Sequence, residues 1–162
     1  MRVVTPLADA QAMVLAACPA LAPVEVPRTD ALGLVLAEPV IATEVVPPFD
    51  NTAVDGYAVR AVDVVDAPVE LRVVGEVAAG ADTDREVGPG EAIRIMTGAP
   101  MPAGADAVVM VEDSEVLGDG RVRLSRAVEP GAAVRRAGDD VRVGDRVVVA
   151  GTVVQPAVDA VL

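Results

Sequence analysis

Three short stretches place acids, hydroxyls and arginines beside glycines, and they are where chemistry could reside. The first is PPFDNTAVDGYAVR, Pro47 to Arg60, with Asp50 and Asp55 and both aromatic residues of the chain, Phe49 and Tyr57. The second is IMTGAPMPAGADAVV, Ile95 to Val109, in which Thr97 offers a hydroxyl and Gly98 a close approach of backbone to a ligand. The third, RRAGDDV, sets Arg135 and Arg136 against Asp139 and Asp140 around Gly138. The chain has no histidine, which removes Ser-His and Cys-His dyads and His-ligated zinc. Carboxylates, hydroxyls, guanidinium groups and amides remain, a set suited to phosphates or other oxyanions handled with a hard cation.

Each stretch also has a plain reading. The first can be an ordered turn, with Asp50 and Asn51 as turn formers, Gly56 supplying positive φ and the two rings pinning the loop to the core. It is not an EF-hand, because the twelfth position counted from Asn51 is Val62. Nor is it an aspartate-nucleophile phosphatase loop, since Pro47-Pro48 precedes it and Asn51-Thr52 follows Asp50. The second can be a Gly/Pro turn between strands, and the third a charged turn.

The elements that must position these residues are mostly short strands. Hydrophobic residues form 52% of the chain, with abundant Val, and 14 Gly and 13 Pro interrupt it at close intervals. β-Branched runs cut by turn residues read as strands, which predicts a strand-rich α+β fold with little helix. Thr5-Pro6 is expected to open a helix as N-cap and first residue, with Leu7, Ala10, Val14, Ala17 and Leu21 along one side and an end close to Cys18. Cys18 is expected to be a small buried residue on that helix. Extended pieces are expected at 24–26, 36–42, 69–77, 107–111, 121–124 and 134–136, a helical turn at 30–36, and a polar loop at 78–91. Gly118 to Gly120 reads as a hairpin turn, and Gln155 to Ala160 as the first turn of a helix, which suggests that a further domain follows Leu162.

The net charge of −12 argues against nucleic acid and anionic membranes as partners. No run reaches the roughly 18 apolar residues of a membrane helix. Asp9 and Gln11 break the apolar N-terminal stretch, so it is not read as a signal peptide, and a single Cys agrees with the cytoplasm.

Taken in order and spacing, PPFDNTAVDGYAVR, IRIMTGAPMPAGADAVVMVED and RRAGDDV resemble the N-terminal region of the molybdopterin molybdenumtransferases, the MoeA family that includes the gephyrin E domain. The resemblance covers essentially the whole chain. It implies an elongated homodimer that inserts molybdate into adenylylated molybdopterin, releasing AMP with Mg²⁺, after a molybdopterin adenylyltransferase has acted. It implies a discontinuous outer domain, 1–44 with 141–162, and an inserted strand-rich domain, 45–140. The molybdopterin-binding domain of the family lies beyond this region, and the family's active site forms where one subunit's N-terminal region faces the other's molybdopterin domain.

By motif, the resemblance assigns catalytic roles to Asp55, Thr97 and Asp140, and substrate binding to Gly98, Arg135 and Arg136. Thr52 and Val54 stand where members often have Ser and Met. A bare carboxylate repels an anionic substrate, by about 1 kcal/mol for unit charges at 4 Å in water and about 4 at an effective dielectric of 20. The acids therefore make sense as holders of Mg²⁺ or as proton acceptors, with Thr97 and the amides near Gly98 donating to an oxyanion. Phe49 and Tyr57 are expected to anchor the loop that carries Asp55. A non-catalytic scaffold of the same fold, or a small ligand-binding barrel, remains an alternative at this point. The chain alone is expected to be inactive.

Overall fold

Runs of Val and Ile separated by Gly and Pro turns build a strand-rich chain, as a β-branched composition favours. The computed structural model describes residues 4–19, 21–81 and 84–162. In chain order the elements are α1 (Leu7–Ala17), β1 (Val40–Ile41), β2 (Asn51–Thr52), β3 (Gly56–Val59), β4 (Val69–Val77), β5 (Glu91–Ile95) and β6 (Ala107–Met110). They continue with β7 (Ser114–Leu117), β8 (Arg121–Leu124), β9 (Val134–Arg135), β10 (Arg146–Val148) and α2 (Pro156–Asp159). A six-stranded sheet runs β6-β3-β5-β4-β8-β7, and two-stranded sheets join β1 with β10 and β2 with β9. The pairs of the large sheet are antiparallel except β4 with β5, which is parallel. The fold is α+β and strand-rich, as the composition predicts.

The chain divides into two compact units, one discontinuous, Met1–Val40 with Val148–Leu162, and one continuous, Ile41–Val147. In the continuous unit the large sheet is covered on both faces. Tyr57, Val59, Leu71, Ala92, Val109, Val122 and Leu124 pack on one face, and Ala58, Val77, Ile93, Ile95 and Val108 on the other. Burial on two sides explains why β3 and β6 read as unbroken apolar runs rather than alternating ones.

In the discontinuous unit, residues 33–36 are sewn to residues 151–154. Gly33 N–H donates to Val154 O at 2.8 Å, Leu36 N–H to Thr152 O at 2.9 Å, and Val154 N–H to Leu34 O at 2.8 Å. These bonds make one unit of two segments far apart in sequence.

Several expectations need correction here. Pro6, not Thr5, is the N-cap of α1, and no side chain caps it. The helix ends at Ala17 as expected, but none of its residues is buried, and Leu7 and Val14 are 75% and 62% exposed. Cys18 is exposed, because the helix it follows has no covered face. Residues 24–26 form no strand; Pro23 and Pro27 flank them and cannot donate to a ladder, which leaves a segment of three residues between them. The helical turn falls at Arg28–Asp30. Elsewhere the strand over 69–77, the hairpin at Gly118–Gly120 and the helical turn after Gln155 match. Asp82 and Thr83 of the polar loop lie outside the described residues.

Candidate functional site

The short strand β2 ties the three motifs together within the continuous unit. On one side, Thr52 N–H donates to Ala99 O at 3.1 Å, Gly98 N–H donates to Thr52 O at 2.9 Å, and Met101 N–H donates to Asp50 O at 2.9 Å. On the other side, Asn51 pairs with Arg135 and Thr52 with Val134, and Ala53 N–H reaches Ala133 O at 2.9 Å. Gly138 N–H and Asp140 N–H then return to Pro47 O and Val46 O at 3.0 and 2.9 Å. Asn51 and Thr52 are the buried polar residues among those described. Their side chains are satisfied locally: Asn51 Nδ2 donates to Phe49 O at 3.2 Å, and Thr52 Oγ1 to Val54 O at 2.7 Å. Buried polar groups with partners give this splint a single geometry.

Asp55 projects from the bend between β2 and β3. Its Oδ1 accepts both the hydroxyl of Thr97, at 2.6 Å, and the Thr97 N–H, at 2.7 Å. The structure thus brings together two residues 42 positions apart that the resemblance put in one site. The Thr97 hydroxyl, its amide and the nearby charge of Arg94 hold the Asp55 carboxyl below the usual carboxylate range. Oδ2 accepts no hydrogen bond from the described residues.

The two glycines beside the acids are needed for reasons opposite to those expected. Gly56 does not adopt positive φ. It lies where β3 meets β6, and a Cβ there would sit 2.1 Å from Val109 O. Gly98 has φ +80° with open space around the Cβ position, so conformation rather than close approach requires it. The amides of Thr97, Gly98 and Ala99 already donate to Asp55, Thr52 O and Met96 O, so none of the three is open to an incoming oxyanion.

The third motif is engaged with the first. Asp50 Oδ2 accepts from Arg136 Nη1 at 2.6 Å and Oδ1 from Ala137 N–H at 2.8 Å. The Ala137 amide, then Arg136, hold the Asp50 carboxyl below its ordinary range. Asp139 Oδ2 accepts Arg136 N–H at 2.7 Å, which closes the turn, and Arg135 forms an ion pair with Asp140. Arg135 and Arg136 both have partners on the chain itself. Sequence reasoning took Asp50 for a turn former and missed that it clamps the loop carrying Asp140.

Tyr57 is buried and anchors β3, whereas Phe49 is 45% exposed, so the loop has one aromatic anchor and not two. Asp55, Thr97 and Asp140 all stand exposed. Depressions of about 400 and 360 Å³ flank Ala127–Glu129, and no acid of the candidate site lines either. The site is an open surface. Among the described residues no three carboxylate or thiol side chains converge, so this chain does not by itself cage Mg²⁺, and any carboxylate it offers would share the ion with other ligands.

Residues 5–162 match the family described as the MoeA N-terminal region, domains I and II. The chain is 40% identical over 168 residues to Molybdopterin molybdenumtransferase 1 of Mycobacterium tuberculosis, covering 92% of this chain and 39% of the relative. It is 41% identical over 140 residues to the Molybdopterin molybdenumtransferase of Bacillus subtilis, covering 82% of this chain and 33% of that one. A crystal structure of the molybdopterin biosynthesis moeA protein from Pyrococcus horikoshii OT3 superposes with a TM-score of 0.80 at 42% identity, over 85% of this chain and 37% of that chain. The chain therefore spans well under half the length of these relatives. It belongs to the family of MoeA N-terminal regions.

Proposed function

We propose that this chain is the N-terminal part of a transferase of molybdenum cofactor biosynthesis, which inserts molybdate into adenylylated molybdopterin and releases AMP. The observation that carries the reading is Asp55, gripped through Oδ1 by both donors of Thr97 while Oδ2 stays open. The relatives' shared name, molybdopterin molybdenumtransferase, supplies the substrate class. A scaffold has no use for an ionised, exposed carboxylate oriented in this way.

The roles follow from the contacts. Asp55 stays ionised because Thr97 donates to it, and a lowered pKa suits its open oxygen to facing a cation better than to accepting a proton. Thr97 positions Asp55, and its hydroxyl serves that acid before any substrate. Asp140 offers a second carboxylate, presented by the turn that Asp50 and Arg136 clamp. Mg²⁺ would be held by one of these carboxylates together with substrate oxygens, and would supply neutralisation of the phosphate's charge.

An open site needs a second surface to exclude water. The uncovered apolar helix α1 supports a homodimer, in which a molybdopterin-binding domain of the partner subunit closes the site. A molybdopterin adenylyltransferase supplies the substrate, and the reaction belongs in the cytoplasm. No helix of the described residues is long and apolar enough to cross a membrane.

In the full-length enzyme, Asp55→Asn should lower molybdenum insertion by about 100-fold or more, the lower end of what a positioned catalytic side chain contributes, with the melting curve nearly unchanged. Near-normal turnover would refute the assignment. Asp140→Asn should cost less, because Asp139 is its neighbour. Residues 1–162 alone should not insert molybdenum, nor bind adenylylated molybdopterin more tightly than about millimolar, roughly −4 kcal/mol. Micromolar binding in a calorimetric titration would put the substrate on this part of the enzyme.

A further inference from the structure

An oxyanion that approaches Asp55 meets a carboxylate and needs a compensating cation. The cations that the third motif offers, Arg135 and Arg136, are engaged with Asp140 and Asp50. The amides from Thr97 to Ala99 are taken as well. Arg94 stands differently. It lies on β5, across from Tyr57 of β3 and Glu76 of β4. Its guanidinium carbon is 5.2 Å from the centre of the Tyr57 ring. Nη1 is buried with no hydrogen-bond partner among the described residues, while the residue as a whole is only half-buried. Glu76 is exposed on the neighbouring strand, and no ion pair joins the two. The β3–β5 register sets Arg94 opposite Tyr57, two residues beyond Asp55, and three residues before Thr97, so its side chain stands next to the Asp55–Thr97 pair.

A guanidinium carries five N–H donors and stays charged at any ordinary pH. An N–H left unsatisfied in a buried position is costly. This cation has no carboxylate partner among the described residues, and the part of the half-buried residue that reaches solvent is the part open to a ligand. An aromatic shelf suits this weakly hydrated, planar cation, and the planar fork suits tetrahedral oxyanions. We infer that Arg94 is an anion-binding residue of the Asp55–Thr97 site, its guanidinium resting on Tyr57 and taking oxygens of a phosphate or a tetrahedral oxometallate. This deepens the function proposed above and rests on it. Arg94 supplies the positive charge that lets an anion sit beside Asp55, and the buried ring of Tyr57 sets where that charge stands.

The test is a titration of the ¹⁵N-labelled chain with inorganic phosphate and, separately, with molybdate, reading the Thr97 and Gly98 amide signals. The wild-type chain should show saturable shifts in the millimolar range. Arg94→Met should weaken binding about tenfold, the charge and the fork both being lost. Arg94→Lys should weaken it about threefold, since a point charge survives without the fork. Asp55→Asn should tighten it severalfold by removing the repulsion. An unchanged Kd in folded Arg94→Met overturns the inference, as does the absence of saturable shifts in the wild type. If Arg94→Met fails to fold, an unchanged Kd in Arg94→Lys overturns it equally. Failure of the functional reading looks different: Arg94-dependent anion binding would persist while the full-length protein transfers no molybdenum. Turnover lost with anion binding untouched would sink the role of Arg94 and spare the function.

Discussion

The continuous unit, Ile41–Val147, and the discontinuous one use similar apolar residues to opposite effect. In the first, valines and isoleucines of the large sheet are buried on both faces. In the second, Ala31 and Val154 are the buried apolar residues among those described, while Leu7, Met13, Val14 and Leu15 of α1 stand open. Hydrophobic composition therefore does not by itself make a core. A six-stranded sheet whose two faces are both packed supplies its own cover, whereas a lone amphipathic or apolar helix depends on something else to pack on it. All three candidate catalytic residues sit in the unit with the self-sufficient core, where rigid strands can hold them.

The comparison breaks most directly with a pair of truncations. Ile93→Ala, at a fully buried position of β5, should cost about 2–5 kcal/mol. Leu15→Ala, on the exposed face of α1, should stay within about 0.5 kcal/mol. Urea titrations of the two variants measure both. Equal losses would show that α1 is packed as firmly as the sheet.

A second pair sharpens the contrast between the two site glycines. Gly56→Ala forces a methyl onto Val109 O and should cost about 3 kcal/mol, the upper range of overpacking. Gly98→Ala has room for its methyl but must hold a left-handed backbone, a cost of about 1–2 kcal/mol. A reversed order would mean that β3 and β6 can separate more easily than the Thr97 turn can change its conformation.

These pairs also mark what the sequence could and could not disclose. The strand at Val69–Val77 and the hairpin turn at Gly118–Gly120 were legible because β-branched runs and turn glycines act locally. The periodicity of α1 showed which residues lie on one face, but not whether any part of the chain covers that face. The motifs named Asp55 and Thr97 through resemblance, yet their hydrogen bond depends on β3 lying beside β5, a long-range pairing without a local signal. Arg94 left one hint: a charged residue in the otherwise apolar run AIRI. Phe49 and Tyr57 looked alike as anchors, and only packing separates them.

That separation sets the next prediction. Phe49 is 45% exposed, so Phe49→Ala should cost about 1 kcal/mol, a fraction of what a buried ring costs. A loss of 3 kcal/mol or more in a thermal melt would show that the ring is covered in solution.

Acid titration distinguishes the units again. Asp50, Asp55 and Asp119 all belong to the continuous unit, and in each the folded state lowers the carboxyl pKa below its ordinary 3.8. A depressed folded pKa means that the unfolded chain takes up protons first as pH falls. The stability these acids contribute is therefore complete above about pH 4 to 5 and disappears as pH drops through the lower folded values. The groups are exposed and solvent screens them, so the effect is modest. Asp50→Asn/Asp55→Asn should flatten the fall in melting temperature below about pH 4 relative to wild type. Parallel curves for the two proteins would show that these carboxylates are not held ionised by Ala137, Arg136 and Thr97.

The smallest effect belongs to Ala133, the non-glycine residue with positive φ among those described, at +56°. It sits directly before β9, and its carbonyl accepts the Ala53 N–H at 2.9 Å, so the strained backbone is what joins the third motif to the first. A left-handed conformation costs an L-residue about 1–2 kcal/mol, which glycine escapes. Glycine in turn gives up about 0.5–1 kcal/mol more chain entropy on folding. The balance favours Ala133→Gly by about 0.5 kcal/mol, opposite in sign to Gly98→Ala on the facing side of β2. Denaturant titrations of both variants decide it. Should Ala133→Gly destabilise the chain, the methyl of Ala133 must contribute more to packing than its backbone strain costs, and the turn before Arg135 is held by its side chains rather than by the ladder to β2.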